Sequence, residues 1–350
     1  MQTKGRLKYL DTSKGLGILL IIYGHITAID NPIDTWMSSF KITIFFIITG
    51  YLLAHKGVAK KISLKEYINK LFKALLIPYF LFSILATIFY GLVSIPNGKF
   101  LFTILINIYM TLSFRGISTL WFLPALFIGQ VIFFWVQSSP KIVKILSFIF
   151  SLLISFMTVI LLNNLENVLG DSLYHLISMP ILTLGKGLIA FWFIFVGYYS
   201  YKLLAPLKST LLIGFVFFIL NIFISKFNTG IDLNFLNFGS TPILFFLCGI
   251  LGSIGTILIF KSLTERMFFP ILNFCGNNSL ILMCTHLPFG IAVIMYLYNK
   301  FFTMPTVPSF SFYVHTLMIL AVLMILEYFI IIFVNKKASF LIGKKLKKAI

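Results

Sequence analysis

Residues 6–25 of the chain read RLKYLDTSKGLGILLIIYGH, an apolar run that opens on basic residues and carries polar side chains along its length. Lys14 and His25 are 11 residues apart, which at about 100° per residue is within about 20° of three full helical turns. Asp11, three residues before Lys14, shares that helix face. Because charge that faces lipid is costly, the stripe predicts a helix whose polar side faces a protein interior or a water-filled cavity.

The rest of the chain is as apolar as this segment. Of its 350 residues, 59% are hydrophobic and 11% are charged, whereas soluble domains are about 45–50% apolar and about 25% charged. This composition excludes a soluble globule, a disordered chain, a collagen and a nucleic-acid-binding domain. The net charge of +19 is instead typical of a membrane protein whose basic residues concentrate on the cytoplasmic side. The predicted fold is all-α, a polytopic transmembrane helical bundle.

Hydropathy predicts about ten spans in a single integral membrane domain over residues 1–350, with the bundle at 10–335 and a basic cytoplasmic tail at 336–350. A further apolar run at 100–114 is short for about 30 Å of hydrocarbon, so we place it in the outer interface or as a re-entrant segment. The ten predicted spans are 11–30, 38–54, 74–95, 119–137, 142–162, 184–203, 209–225, 240–260, 278–298 and 311–334.

Charge sets the predicted orientation. If 100–114 stays on the outer side, both termini are cytoplasmic and 22 of the 28 Lys and Arg residues lie inside, a clear positive-inside bias. The sequence therefore predicts a multi-pass protein of the bacterial plasma membrane. It shows no internal repeat, so the inverted-repeat signature of many transporters is missing.

Five segments along the chain form a series of motifs. They are YLDTSKGLGILLIIYGH (9–25), FKITIFFIITGYLL (40–53), YINKLFKALLIPYF (67–80), LWFLPALF (120–127) and GNNSLILMCTHLPF (276–289). In this order they resemble the acyltransferase-3 family of membrane O-acyltransferases, and more closely its fucose 4-O-acetylase-like branch of glycan acetylases. The resemblance covers nearly the whole chain.

The resemblance implies roles for particular residues. The family's first-span motif, a basic residue and ten residues before a His, falls on Lys14 and His25, and that His is the family's essential catalytic residue. The motif Arg-x-x-Arg before the third span falls on Lys70 and Lys73, where the charge is kept but the bidentate grip of Arg on phosphate is lost. Lys41 begins the segment Lys-Ile-Thr-Ile, where the family has His-Met-Pro-Leu, so no role of a second His is carried over.

Acetyl-CoA is the co-substrate that the resemblance implies, without a metal. Lys14, Lys70 and Lys73 map to the cytoplasmic mouth, where they would bind its phosphates, and its pantetheine arm would run along the first span to His25. Asp11 joins His25 in the predicted catalytic set. The alternatives are a snorkelling anchor for Lys14, an interhelical hydrogen bond for His25, and plain positive-inside charge for Lys70 and Lys73.

Four more residues are candidates for substrate contacts. His286 lies in the ninth predicted span, and Glu327 is the one acid deep in an apolar run, where a carboxylate is a functional candidate by default. Either residue could equally make a structural helix–helix contact. Arg115 and Trp121 flank the outer end of the fourth predicted span, where they would line an acceptor-glycan site or anchor the interface.

Two functions fit the sequence. The first is an acetyltransferase that acts on a hydroxyl of a cell-surface or lipid-linked glycan of the cell envelope, with His25 as general base or as transient carrier of the acetyl group. The second is an exporter or flippase of polysaccharide whose path the charged stripe would line. Basic residues clustered at one mouth favour the enzyme. The expected partners are acetyl-CoA, a glycan acceptor and membrane lipids, with no nucleic acid.

Overall fold

The structure, a computed structural model, describes residues 5–27, 31–57, 62–207 and 210–344. Helices account for nearly all of the regular structure. The α-helices are α1 (Lys8–Ile26), α2 (Pro32–Ser38), α3 (Thr43–Lys56), α4 (Leu64–Leu71), α5 (Ile77–Val93), α6 (Phe100–Leu112), α7 (Phe122–Gln137), α8 (Lys141–Val168), α9 (Asp171–Leu204), α10 (Leu211–Ser225), α11 (Pro242–Leu263), α12 (Pro270–Asn277), α13 (Ser279–Thr285), α14 (Ala292–Tyr298) and α15 (Phe310–Lys337).

Shorter elements join these helices. Two π-helical segments, Phe72–Leu76 and His286–Ile291, connect α4 to α5 and α13 to α14 without a break in the chain direction. Two-residue strands, β1 (Ile231–Asp232) and β2 (Asn237–Phe238), pair with each other. The 3-10 turns are Ile95–Asn97, Ser118–Trp121, Leu233–Phe235 and Ser339–Ile342.

Eight helical stretches within the described residues are long and apolar enough to cross a membrane. The prediction of an all-α, polytopic bundle is confirmed. These stretches are Pro32–Lys56, Leu64–Val93, Ser118–Gln137, Lys141–Val168, Leu173–Leu204, Pro242–Leu263, Ser279–Tyr298 and Phe310–Lys337.

Two of the ten predicted spans differ from the other eight. Helix α10, in the predicted span 209–225, has 15 residues, or about 22 Å at 1.5 Å per residue, which is short for the hydrocarbon core. Helix α1 has 19 residues but is too polar to be counted with the other eight, because its stripe of charged side chains lowers its hydropathy. Helix α6, in the run 100–114, has only 13 residues.

The chain divides into two compact units. Unit 1 comprises 46–207 and 232–237, and unit 2 comprises 5–45, 210–231 and 238–344 among the described residues. A single membrane domain over 1–350 stays a prediction. Of the predicted tail 336–350, residues 345–350 lie outside the described residues, and α15 ends on the basic pair Lys336 and Lys337.

Within unit 1, α7 and α8 pack on α9, and α5 packs on α6. Buried polar groups join α4 to α7 and α5 to the end of α6. Tyr67 of α4 donates a hydrogen bond of 2.8 Å to Gln130 of α7, and the Tyr79 hydroxyl donates one of 2.8 Å to the carbonyl oxygen of Thr111. Polar partners of this kind hold helices together in lipid, where the apolar driving force between helices is weak.

Within unit 2, α1 packs closely against α12. A Cβ atom at Gly15 would overlap the carbonyl oxygen of Leu272, and one at Gly276 would overlap that of Asp11. The two glycines therefore let the backbones of the helices touch, as small residues do at membrane helix interfaces. This contact fixes the polar face of α1 against a defined neighbour.

Candidate active site

The polar stripe of α1 begins with a group of paired charges. Asp11 is buried and accepts from Arg6 Nε at 2.5 Å, while Lys14 Nζ lies 2.8 Å from its other carboxylate oxygen. The Lys14 ammonium is thus fixed by a partner one helical turn away and remains partly exposed. With Lys8 exposed on the same helix end, cations outnumber carboxylates there, so the end can attract an anion.

Helix α12 supplies amide groups to this end of α1. Arg6 donates to the side-chain oxygen of Asn277, and Thr12 donates a hydrogen bond of 3.2 Å to Asn273. Asn278, at the turn between α12 and α13, accepts at 2.9 Å from Asn335 of α15. Asn277 of the motif at 276–289 therefore contacts the residues directly before α1, and Asn273, which precedes the motif, contacts α1 itself.

His25 lies at the other end of the stripe, about 16 Å along the helix axis from Lys14. Its side chain is exposed, although Tyr23, two residues before it, and Ile26, directly after it, are buried. An imidazole that must meet a substrate needs this accessibility. Asp11 is 14 residues away, about 21 Å along the axis, so it contacts Lys14 and Arg6 and not His25.

His286 comes from a distant part of the sequence to lie beside His25. The ring centroids are 5.4 Å apart and the ring planes are tilted by 36°. His286 is fully buried and begins the π-helical segment after α13. A π-helical turn adds one residue to the helix and is frequent at functional sites. The structure thus brings together two histidines that the sequence placed in the first and ninth predicted spans.

The hydrogen bond of His286 fixes its tautomer. Nδ1 lies 2.5 Å from the carbonyl oxygen of Leu282, and because a carbonyl oxygen only accepts, Nδ1 must carry the proton. In the neutral ring Nε2 is then an acceptor, and it has no hydrogen-bond partner among the described residues. His286 therefore offers a fixed lone pair in a buried position.

Glu327 of α15 is held by the residue that precedes His286. Thr285 donates a hydrogen bond of 2.6 Å to one carboxylate oxygen of the fully buried Glu327. The other oxygen has no hydrogen-bond partner in the described part of the chain. Glu327 is thus hydrogen-bonded to Thr285, and Thr285 is the residue directly before His286 of the histidine pair.

An ion pair that the sequence did not indicate lies over α1 next to His25. Lys41 Nζ is 2.8 Å from Asp34 Oδ1, with both side chains mostly buried. A Cβ atom at Gly24 would overlap Lys41 Nζ and lie 2.7 Å from Asp34 Oδ1. Gly24 thus makes room for this pair one residue before His25. The available signal was the departure at Lys41 from the motif of the family that the chain resembles.

A cleft of about 700 Å³ opens in unit 2 beside α2, the helix that carries Asp34. Trp36 offers an aromatic side chain there and is fixed by a hydrogen bond of 2.9 Å from its indole N–H to Asn221. Asn31, Thr229 and Lys226 add polar groups to the lining. Aromatic and polar side chains in one cleft are typical of sites for small polar ligands.

The other predicted donor-binding residues belong to unit 1. Lys70 ends α4 and Lys73 lies in the π-helical segment that follows it. Helix α4 starts at a capping box in which Ser63 and Glu66 satisfy each other's backbone N–H groups, a strong N-terminal signal. Both lysines are exposed, so they can meet a ligand.

Arg115 and Trp121 also belong to unit 1, and both are only 6% exposed. Arg115 donates to the side-chain oxygen of Asn234. Trp121 packs its ring under the ammonium of Lys186, 4.8 Å from the ring centroid. Lys186 lies in α9 and is fully buried. These residues thus form a cluster of their own.

The comparisons with known proteins concern the chain as a whole. The model of the acyltransferase-3 family, described as an acyltransferase domain, matches residues 7–335. No curated protein and no solved structure matches the chain. Within the described residues, no group of three or more His, Cys, Asp or Glu side chains comes together as around a metal ion.

Proposed function

Since the chain belongs to the acyltransferase-3 family of membrane acyltransferases, we propose that it moves an acetyl group from cytosolic acetyl-CoA to a hydroxyl of a cell-surface or lipid-linked glycan. The observation that supports this most is the stripe on α1. One helix carries a fixed cation, Lys14, at one end and an accessible imidazole, His25, about 16 Å away at the other. An elongated donor with an anionic head and a reactive thioester suits that separation.

His25 acts as the general base in this proposal. Its unprotonated nitrogen takes the proton of the acceptor hydroxyl while the oxygen attacks the thioester carbonyl. The C–S bond then breaks, and the CoA thiolate receives a proton from the imidazolium, which restores the neutral base. His286, fixed through Leu282, packs against the His25 ring and limits the orientations of that ring.

The donor is bound by the cations at the N-terminal end of α1. Asp11 holds Lys14 in position through the 2.8 Å ion pair, so less side-chain entropy is lost when Lys14 contacts a phosphate. Lys70 and Lys73, both exposed in unit 1, are the further donor-binding residues that the resemblance implies. Charge-assisted contacts of this kind are stronger than neutral hydrogen bonds.

The acceptor enters from the side of α2. The cleft beside α2 and the Lys41–Asp34 pair over Gly24 lie toward the C-terminal end of α1, which carries His25. An acceptor sugar there would place a hydroxyl near His25 while the donor arrives from the opposite end of the helix. The glycan acceptor and the fucose 4-O-acetylase-like branch are parts of this proposal.

Purified protein with acetyl-CoA labelled in the acetyl group tests the proposal. Wild-type protein should hydrolyse the thioester slowly, or transfer the label to a co-purified or added glycan, and His25→Gln should do neither. Gln keeps the size and some hydrogen bonding of His but cannot take a proton. Label release that is equal in both proteins would refute the role of His25. A chain that never cleaves acetyl-CoA but moves glycan across vesicles would be a carrier.

A further inference from the structure

Arg115 and Lys186 are two buried cations of unit 1 that converge on a single neutral atom. Arg115, between α6 and α7, donates to Oδ1 of Asn234, and Lys186 Nζ of α9 lies 3.3 Å from the same oxygen. Arg115 is 6% exposed and Lys186 is fully buried. Asn234 comes from the turn Leu233–Phe235. Three separate chain segments thus meet at one amide oxygen.

Aromatic rings cover both cations. Lys186 Nζ lies 4.8 Å from the ring centroid of Trp121, and the Arg115 guanidinium lies 4.8 Å from that of Phe235. Such contacts favour a cation but do not neutralise it. They also exclude water from the two charges, which strengthens the field that the charges produce.

The cluster holds more positive than negative charge. Neither cation has an ion pair within 4.0 Å among the residues that the structure describes. Asp232 is exposed, its carboxylate accepts at 2.9 Å from the backbone N–H of Asn234, and it attracts both cations from beyond ion-pair distance, so one carboxylate stands against two cations. Buried charges in proteins are normally paired, and two like charges side by side add repulsion.

The two loops that build the cluster contain left-handed backbone. Phe114, directly before Arg115, has φ 58°, and Leu236, two residues after Asn234, has φ 55°. For residues other than glycine this conformation is uncommon and persists where the surrounding structure enforces it, often at ligand sites. Both loops are therefore held in place with the cations already convergent.

We propose that Arg115, Lys186 and Asn234, the Arg115–Lys186 cluster, form a binding site for one oxyanion, a carboxylate or a phosphate ester. Its oxygens would accept from the guanidinium and the ammonium, and would supply the missing negative charge. Binding itself does not depend on acyl transfer. The identity of the natural ligand, an acidic sugar or a phosphate-linked lipid of the acceptor, rests on the proposed function.

Thermal unfolding of the full-length protein in neutral detergent tests the site without any acyl donor. D-glucuronate represents an acidic sugar, glycerol 1-phosphate represents a phosphate ester, and D-glucose is the neutral control. Nanodiscs of anionic phosphatidylglycerol, with zwitterionic phosphatidylcholine as the control, then show whether an anionic lipid headgroup suffices. Because a ligand that binds only the folded state stabilises it, the matching anion should raise the unfolding midpoint, and glucose should not.

Lys186→Met and Arg115→Met should abolish the anion-dependent rise. Lys300→Met is the matched control, because Lys300 also lies over an aromatic ring, 4.6 Å from the centroid of Tyr296, but is exposed. The control should respond like wild type. Without anion, Lys186→Met should unfold no earlier than wild type, because replacement of an uncompensated buried charge by an apolar group is often neutral or stabilising.

The results separate the sources of the ligand. A response to glucuronate alone identifies an acidic sugar, and a response to glycerol phosphate or phosphatidylglycerol identifies a phosphate. No response of wild type to any anion, or an equal response of Lys186→Met, overturns the site. If a variant does not fold, equilibrium dialysis of wild type against labelled glucuronate and glycerol phosphate decides, and absence of binding overturns the proposal.

Discussion

The imidazole rings of His25 and His286 lie 5.4 Å apart, centroid to centroid, on helices whose sequence positions are 261 residues apart. His286 is fixed by its bond to Leu282 and keeps an unshared acceptor at Nε2. We infer that His286 is a positioning residue for His25. The His286 ring thus packs against one side of the His25 ring and limits the orientations of the base.

His286→Asn should lower kcat by up to about 10²-fold, the cost of a misplaced reacting group, and leave KM for acetyl-CoA nearly unchanged. Asn can still donate to the Leu282 carbonyl, but it lacks an atom at the place of Nε2. His286→Gln puts a polar atom near that place and should retain more activity than His286→Asn. His315→Asn in the same unit is the control for loss of a histidine. Equal activity of the Asn and Gln variants would contradict the positioning role.

Lys14→Ala should weaken acetyl-CoA binding by roughly 10–150-fold, which corresponds to the loss of about 1.5–3 kcal/mol for a charge-assisted contact. Lys14→Arg keeps charge and reach and should bind nearly as wild type, and the same pattern is expected at Lys70 and Lys73. Binding is measured by equilibrium dialysis of purified protein. Lys8→Ala is the control, because Lys8 is exposed on the same helix end. An equal loss at Lys8 would point to general positive charge.

Gly24→Ala should lower acetyl transfer while the protein still folds. The added methyl would overlap Lys41 Nζ and displace the ion pair next to His25. In a Lys41→Met background the same substitution should cost less, because the nearest atom that the methyl meets, Lys41 Nζ, is gone and Asp34 is no longer held by the ion pair, and this coupling is measured by a double-mutant cycle. Additive effects of the two substitutions on the transfer rate would show that Gly24 acts elsewhere.

Gly15→Ala should destabilise unit 2 by about 1–3 kcal/mol, the usual cost of overpacking, because its methyl meets the backbone of Leu272, which has no free side chain to move away. The measurement is the thermal unfolding midpoint in detergent. Gly170→Ala is the control, because a Cβ there has no atom within 4 Å. Equal midpoints for Gly15→Ala and wild type would mean that α1 and α12 are not in such close contact.

Cysteines placed at Asn97 and Ser113, on either side of α6, should both react from the outer side of the membrane. The 13 residues of α6 extend about 20 Å, which is too short to span. The three native cysteines are buried, so their background labelling should be low. Opposite accessibility of the two positions would make α6 a span and reverse the predicted orientation of one terminus.

The fold and the stripe on α1 could be predicted from the sequence, because both depend on local spacing. Apolar runs fix the helices, and 11 residues between Lys14 and His25 fix their common face. The Arg115–Lys186 cluster could not be predicted, because it needs three segments to meet and because Lys186 reads as one basic residue among many. The His25–His286 contact likewise depends on tertiary packing that no local period records.

The contact between α1 and α12 has a consequence for the order of synthesis. Thr12 and its partner Asn273 are 261 residues apart. At a synthesis rate of about 5–20 residues per second, the ribosome needs on the order of 10–50 s to translate the segment between them. During that interval α1, with Asp11 and its cations, has emerged without the helix that covers its glycine face. We expect nascent chains that stop before residue 270 to leave α1 open to proteases, and chains that include α12 to protect it.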